Sequence, residues 1–317
     1  MSRELSLELY DEIISYLWNN KQALLACSVA GRILTVPSQK RLFSRVILPG
    51  PHHNERHPSK THQLGQSYSD FKRLLNRSPH IVGYIECLQI IATSKSTECG
   101  FDNEKDSEGD AQPRHSLCYW FASANALPAC EPHFHKLKAL VVDCVGDWYR
   151  FCPRIRSIIS RLLRLPSLVY VALKLFPIPI LTQAIGDNVK HFRFRGYWET
   201  NNKPLPTSTP AVPIYLESMY ITHVQSLLSF MLTDPNCRIR VNQLRKVVFN
   251  MSNDELEAHP MTWALLRSCA DTLEELTIVP SQSGKRLAWL NLIVLTLITQ
   301  SATWMLFNTR RKPTSPS

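Results

Sequence analysis

The sequence predicts an α/β fold in which a small N-terminal module of three helices precedes an irregular solenoid of strand-plus-helix units. Two observations predict it. Apolar residues at helical spacing occupy the segment from residue 5 to residue 43, and afterwards an apolar triplet spaced i, i+3, i+5 recurs seven times. With 44% hydrophobic and 20% charged residues, the 317-residue chain has a globular composition and room for one large domain or two.

The N-terminal module begins with a helix that is apolar on two sides. One stripe consists of Leu5, Leu9, Ile13 and Leu17, and the other of Leu7 and Ile14. A second helix is predicted from Lys21 to about Ala30, and a third from Pro37 to Phe43, where proline at the first position loses no hydrogen bond. Because so few residues seldom bury a sufficient core alone, we expect the surplus apolar surface to dock on a partner.

The recurring triplet defines the second part of the chain. It occurs at Ile85/Leu88/Ile90, Leu137/Leu140/Val142, Leu168/Val171/Leu173, Val189/Phe192/Phe194, Leu216/Met219/Ile221, Leu244/Val247/Phe249 and Leu273/Leu276/Ile278. After a first interval of 52 residues, the steps are 31, 21, 27, 28 and 29 residues. Helices are predicted between the strands at 70–77, 155–165, 179–185, 224–232 and 261–270. Regular recurrence predicts stacked units with parallel strands, and the alternative is a non-repetitive α/β domain.

Each of these two patterns resembles a known protein family. Residues 5–48 resemble an F-box of the divergent fungal form, with L-x-x-E-L-x-x-E-I-I-x-x-L at 5–17, A-L-L-A-C-S at 23–28 and P-x-x-x-R-L-F at 37–43. Ser6, Gly31 and Leu34 depart from the usual proline, cysteine and tryptophan of that family. The triplets resemble the L-x-x-L-x-L of leucine-rich repeats. The expected fold is thus an F-box-like module followed by an irregular leucine-rich-repeat-like α/β solenoid.

These resemblances imply the substrate-recognition subunit of a cullin-RING (SCF-type) ubiquitin ligase. The F-box would bind the Skp-type adaptor of the cullin ligase core, and the repeats would bind a target protein. The residues expected to bind the adaptor are Leu5, Leu7, Ile13, Ile14, Leu17, Leu24 and Leu25. The alternatives are a helical cap on the repeats, and a repeat scaffold or tail-anchored interaction module outside any ligase.

The target is expected on the strand residues that alternate with the apolar triplets, because these side chains point away from the core. The predicted target-binding residues are Tyr170, Lys174, His191, Arg193, Arg195, Tyr220 and Lys246. Three basic residues on one strand favour an acidic or phosphorylated segment of the target, which guanidinium groups bind bidentately. The alternative is a solvated basic face that has no ligand.

Catalytic motifs are absent from the sequence, which contains no G-x-S-x-G, no glycine-rich phosphate loop and no H-E-x-x-H. We therefore expect no enzyme activity and no cofactor. Metal-ligand residue types cluster at Cys130, His133, His135, Asp143 and Cys144, but no second pair completes a four-ligand set, so no metal is expected. The net charge of +10 is dispersed along the chain, which argues against nucleic acid as a partner.

Nine scattered cysteines without a C-x-x-C pair, in a chain that starts MSREL, favour reduced thiols and a cytoplasmic or nuclear location. Residues 287–307 contain no charged residue and are long enough to span a bilayer. We interpret them as a cap on the solenoid, with a membrane anchor or a gene-model error as the alternatives. The predicted organisation is therefore the module at 1–48, a linker at 49–67, the repeats at 68–284 and a hydrophobic tail at 285–317.

Overall fold

The computed structural model describes residues 6–48, 68–92, 134–144, 153–174, 176–177, 184–196, 212–222, 225–235, 237–251 and 260–280. An N-terminal helical stretch precedes a parallel sheet of eight strands. The described helices are α1 (Leu7–Tyr16), α2 (Lys21–Ala30), α3 (Arg32–Phe43), α4 (Tyr68–Arg77), α5 (Pro153–Leu163), α6 (Gln225–Thr233) and α7 (Pro260–Ser268), with a 3-10 helix at Pro79–Tyr84. The described strands are β1 (Arg45–Leu48), β2 (Cys87–Ala92), β3 (Ala139–Cys144), β4 (Tyr170–Lys174), β5 (His191–Arg195), β6 (Ile214–Tyr215), β7 (Ser218–Thr222), β8 (Ile239–Arg240), β9 (Lys246–Met251) and β10 (Glu275–Pro280).

The three N-terminal helices pack around very few buried side chains. Helix α3 contacts both α1 and α2. Ile14 of α1 and Leu24 of α2 are each 1% exposed, and they are the buried apolar residues of those two helices. The Asn20 side chain caps α2 by accepting a hydrogen bond from the Ala23 N–H at 3.0 Å. A core this small leaves most apolar side chains of the module at its surface.

The third helix begins at Arg32, so the prediction that it begins at Pro37 was wrong. Gly31 alone separates α2 from α3, in an extended conformation. The Thr35 hydroxyl stabilises the connection between α2 and α3, since it lies within hydrogen-bonding distance of two carbonyl oxygens, at 3.0 Å from that of Ser28 and 3.1 Å from that of Gly31. Pro37 lies inside the helix and is buried. Its missing N–H removes one backbone bond, and packing of α3 against both other helices compensates for that loss.

The large sheet has the strand order β1-β2-β3-β4-β5-β7-β9-β10, and each pair of neighbours is parallel. Seven of these strands lie at the seven predicted triplets. The middle residues of the triplets pair in a single row: Leu88, Leu140, Val171, Phe192, Met219, Val247 and Leu276. Inward strand residues and apolar residues of helices α4 to α7 form one buried cluster, so one helix layer covers one face of the sheet.

The helices between the strands begin and end close to the predicted residues. Four of the five predicted helices correspond to α4, α5, α6 and α7, with ends within two residues of the prediction. The fifth, at 179–185, lies mostly outside the described residues, which resume at Ala184. The hydrophobic tail at 285–317 also lies outside them.

The first strand, β1, was not predicted. Arg45–Leu48 pairs in parallel with β2, placing Val46 opposite Leu88 and Leu48 opposite Ile90. The sequence contained the signal, because Phe43, Val46 and Leu48 have the same i, i+3, i+5 spacing as the seven triplets. Four residues that were assigned to the helical module therefore belong to the sheet, and they connect α3 to it directly.

A repeated backbone arrangement lies at the entry of each strand. The Ser44 carbonyl accepts the N–H groups of Glu86 and Cys87, at 2.8 and 2.9 Å. The same pairing recurs at the carbonyls of Glu86, Lys138, Val169, Lys190, Glu217 and Arg245. These bonds occur at all seven contacts between neighbouring strands, so each strand pairs with the next in the same way. The first of these carbonyls belongs to Ser44, directly after α3.

Arg238 ties three segments of the chain together. Its guanidinium donates to the carbonyl oxygens of Val212 at 2.9 Å and Ile185 at 3.3 Å, and it forms an ion pair with Asp187. The side chain is only 15% exposed. We expect Arg238→Lys to lower the free energy of unfolding by about 2 kcal/mol, measured by urea denaturation, because one ammonium cannot reproduce three divergent N–H bonds.

The control for this prediction is Arg245→Lys. Arg245 pairs with Glu274 at 3.3 Å, and both side chains are mostly exposed. Such surface pairs contribute about 0 to 1 kcal/mol, and lysine keeps the charge. Equal destabilisation by the two substitutions would show that Arg238 contributes no more than an ordinary surface pair.

Candidate interaction surfaces

The N-terminal helices carry most of the large apolar side chains that the described residues expose. Nine of these twelve side chains lie between residues 7 and 36, and they are 44% to 84% exposed. They are Leu7, Leu9, Ile13, Tyr16, Trp18, Leu25, Val29, Ile33 and Val36, which we call the apolar module surface. Monomeric proteins rarely expose large contiguous apolar patches unless these bind a partner. This concentration therefore makes the apolar module surface a candidate interaction surface.

Helical spacing groups these side chains into stripes. On α1, steps of four and three residues place Leu9, Ile13 and Tyr16 on one side of the helix. Leu25 and Val29 are four residues apart on α2, and on α3 Ile33 is followed by Val36 at a spacing of three. Each helix thus presents an apolar stripe to solvent in addition to the side that it packs against its neighbours.

The predicted adaptor-binding residues differ in how exposed their side chains are. Leu7, Ile13 and Leu25 are exposed and available to a partner, whereas Ile14 and Leu24 are buried and hold the helices together. Leu17 is half-buried, and Leu5 lies outside the described residues.

The sequence prediction of this surface did not include Leu9, Tyr16, Trp18, Val29, Ile33 and Val36. Five of these six lie three or four residues from another exposed apolar residue on the same helix, and that spacing could have indicated them.

The second surface is the face of the sheet opposite the helix layer, which we call the outer face. Along β5 the burial alternates, with Phe192 and Phe194 buried and Arg193 and Arg195 exposed. All seven predicted target-binding residues lie at outward positions of β4, β5, β7 and β9: Tyr170, Lys174, His191, Arg193, Arg195, Tyr220 and Lys246. The structure thus brings them to one face.

Two of the cations on the outer face are neutralised by carboxylates. The Lys174 Nζ lies 2.8 Å from the Asp143 Oδ1, and the Lys246 Nζ lies 2.7 Å from the Glu275 Oε1. His191 is also engaged, with its Nδ1 2.8 Å from the Ser218 Oγ. These three predicted residues therefore already have partners within the protein.

Arg193 and Arg195 differ from those cations, since neither pairs with a carboxylate among the described residues. The Arg193 guanidinium lies 4.4 Å from the centroid of the Tyr220 ring, a cation–π contact that orients it without neutralising it. The Tyr220 hydroxyl accepts a hydrogen bond from the Asn250 Nδ2 at 3.4 Å. Among the predicted target-binding cations, these two arginines are therefore the ones whose charge no described carboxylate neutralises.

Three of the described thiols have the environment of structural cysteines. Burial raises the pKa of Cys237 and of Cys269 to about 11, and burial also raises the pKa of Cys87. A thiol with such a pKa stays protonated at neutral pH and is a weak nucleophile. Cys27, Cys87, Cys237 and Cys269 are all free thiols in the structure.

Among the described residues, no group of three or more histidine, cysteine, aspartate or glutamate side chains could hold a metal ion. His135 is exposed, while Asp143 pairs with Lys174. The side chain of Cys144, together with Cys130 and His133, lies outside the described residues.

Among the described residues, no helix is long and apolar enough to cross a membrane, and residues 287–307 lie outside this set. No family model, no curated protein and no solved structure matches the chain.

Proposed function

We propose that this chain is a substrate-recognition subunit of a cullin-RING (SCF-type) ubiquitin ligase. Its N-terminal helices bind a Skp-type adaptor as an F-box does, and the outer face of its sheet binds a target protein. The observation that carries the proposal is the concentration of nine exposed large apolar side chains on helices α1 to α3 and the turn that follows α1. A module that buries so little of its own apolar surface is suited to burying it against a partner.

The energetics of the apolar module surface suit a stable complex. Complete burial of a large aliphatic or aromatic side chain contributes about 1.5 to 3 kcal/mol. The nine side chains are 44% to 84% exposed, so burial of the surface that they still expose is of the same order as the estimated cost of association, about 4 to 15 kcal/mol. The stripe of Leu9, Ile13 and Tyr16 projects from a helix that is otherwise anchored by Ile14, so a partner can cover it without disturbing the core.

For the second part of the chain, we propose an irregular leucine-rich-repeat-like solenoid. Its support is threefold: the strands of the large sheet follow the chain order, the triplets pair in one row, and one carbonyl arrangement recurs at each strand contact. Stacked units of this kind present extended binding surfaces. Arg193 and Arg195, which pair with no carboxylate among the described residues, favour an acidic or phosphorylated segment of the target.

The proposed mechanism involves no chemistry in this chain, which is not an enzyme and needs no cofactor. It would hold the target near the ubiquitin-charged enzyme of the ligase and so raise the local concentration of the lysines of the target. Direct connection of α3 to the sheet through β1 suits this role, because it links the adaptor-binding helices to the target-binding face without an intervening linker. We place this activity in the cytoplasm or the nucleus.

Isothermal titration calorimetry with the purified full chain and a purified Skp-type adaptor tests the proposal. We expect a one-to-one complex with a Kd below about 1 µM, as for specific interfaces of standard size. Circular dichroism on the same sample establishes that the chain is folded. A folded chain that does not bind the adaptor would contradict the ligase function and favour a repeat scaffold that acts outside any ligase.

A further inference from the structure

An unpaired hydroxyl group lies at the end of β7. Thr222 is the last residue of that strand, and alternation along the strand places it on the outer face beyond Tyr220. It is only 4% exposed, and its Oγ1 has no hydrogen-bond partner among the described residues. A buried hydroxyl without a partner is costly, so its position on a binding face points to a bond that a ligand supplies.

The neighbours of Thr222 are polar on both sides. In the register of the sheet, Thr222 pairs with Arg195 of β5 on one side and with Asn250 of β9 on the other. Neighbouring strands lie about 4.8 Å apart, so these three residues form one short row across the outer face. Arg193, which lies over the Tyr220 ring, occupies the adjacent outward row. These residues form one continuous polar area.

Asn250 adds a second unsatisfied atom. Its Nδ2 bonds to the Tyr220 hydroxyl, while its Oδ1 is buried and has no partner among the described residues. Rotation of the amide by 180° exchanges oxygen and nitrogen, in which case the Tyr220 hydroxyl donates to the oxygen and the NH₂ group is free for a ligand. The area then offers donors from two guanidinium groups, one hydroxyl and one amide.

The number and arrangement of these donors select the ligand. A carboxylate is planar and has two oxygens, whereas a phosphate monoester has three terminal oxygens in a tetrahedral arrangement and carries nearly two negative charges at neutral pH. Arg193 and Arg195 supply two positive charges that no carboxylate of the described part of the chain compensates, and these match that dianion. The donors lie on three neighbouring strands, so they can bond to different oxygens of one phosphate group.

We propose that Arg193, Arg195, Thr222 and Asn250 form a binding site for the phosphate group of a phosphate monoester. This inference deepens the proposed function and rests on its assignment of the outer face to target binding. The phosphate is carried either by a phosphorylated side chain of the target or by a small molecule, and the chemistry of recognition is the same.

The test titrates the purified full chain with inorganic phosphate, with acetate at matched ionic strength, and with a five-residue peptide that contains one phosphoserine. We expect saturable binding of phosphate and of the phosphopeptide, and none of acetate. Tighter binding of the phosphopeptide than of inorganic phosphate would assign the site to a target side chain, and equal or weaker binding would assign it to a small molecule. Absence of binding by both phosphate probes would overturn the proposal.

Two pairs of variants provide the controls. Arg195→Gln and Thr222→Val should each weaken phosphate binding by about tenfold or more, because each removes one bond to a charged group. Arg245→Gln removes the same charge from an exposed surface pair, and Thr262→Val removes another unpaired buried hydroxyl, on α7, so neither should change binding. Equal weakening by Arg195→Gln and Arg245→Gln would indicate nonspecific attraction and overturn the site.

The threonine pair also separates binding from folding. Both Thr222→Val and Thr262→Val remove an unsatisfied hydroxyl, so both should raise the urea midpoint of the free chain, while only Thr222→Val loses phosphate. Adaptor binding is measured on every variant. If the wild-type chain binds the adaptor but not phosphate, this site is rejected and the proposed function stays intact. If the wild-type chain does not bind the adaptor, the proposed function is rejected.

Discussion

Replacement of Ile13 by aspartate is expected to remove measurable binding of the Skp-type adaptor and to leave the chain folded. Ile13 lies in the middle of the α1 stripe, between Leu9 and Tyr16, and it is 48% exposed. A carboxylate in a dry apolar interface has no partner and costs several kcal/mol, which corresponds to a loss of affinity of at least about a hundredfold. Calorimetric titration with the purified adaptor measures the effect.

A matched control is available at Trp263 on α7. This apolar side chain is 43% exposed, nearly the same fraction as Ile13, but it lies far along the chain from the module. Trp263→Asp should therefore leave adaptor binding unchanged. If both aspartate variants lose the adaptor, or neither does, the adaptor does not bind through the α1 stripe.

The largest effect on stability is expected from Phe192→Ala, at about 3 to 5 kcal/mol in the free energy of unfolding. The Phe192 ring is fully buried on the inner face of β5, in the row between Val171 and Met219, and its centroid lies 6.2 Å from that of Phe194. Truncation leaves a cavity that the two flanking strands cannot close without disturbing their register. Urea denaturation with circular dichroism measures the loss.

Arg195→Ala is the control for Phe192→Ala, because it truncates an exposed side chain on the outer face of the same strand. We expect a change within about 0.5 kcal/mol. A loss of several kcal/mol at Arg195 together with tolerance at Phe192 would reverse the assignment of the two faces. The register predicted from the apolar triplets would then be shifted by one residue.

The sheet was predictable because its signal is local and repeated. Each triplet needs only the spacing i, i+3, i+5 within one strand, and the seven predicted strands were found in a single register. The strand that escaped prediction, β1, carries the same spacing at Phe43, Val46 and Leu48. Its residues were assigned to the end of the helical module, because the stretch that precedes it ends in a helix.

Features that depend on contacts between distant residues were not predictable. The outward charges could be identified from the alternation along β4 and β5, but the neutralisation of Lys174 by Asp143 depends on which strands are neighbours and in which register. The start of α3 was misjudged, because a proline at position 37 suits a first helical turn as well as a packed interior. The burial of the Thr222 hydroxyl without a partner among the described residues depends on the residues that cover it, and no local sequence pattern encodes these.

We propose that one chain joins a ligase adaptor to a target through two separate surfaces. Affinity purification of the tagged full chain with quantitative mass spectrometry tests this proposal, comparing the wild type, Ile13→Asp and the double variant Arg193→Glu/Arg195→Glu. We expect the wild type to capture the adaptor, a cullin and a set of target proteins. Ile13→Asp should lose the adaptor and the cullin but keep the targets, and the double variant should lose the targets but keep the adaptor and the cullin. A wild-type chain that captures neither adaptor nor cullin, or variants that lose both sets together while remaining folded, would contradict the account.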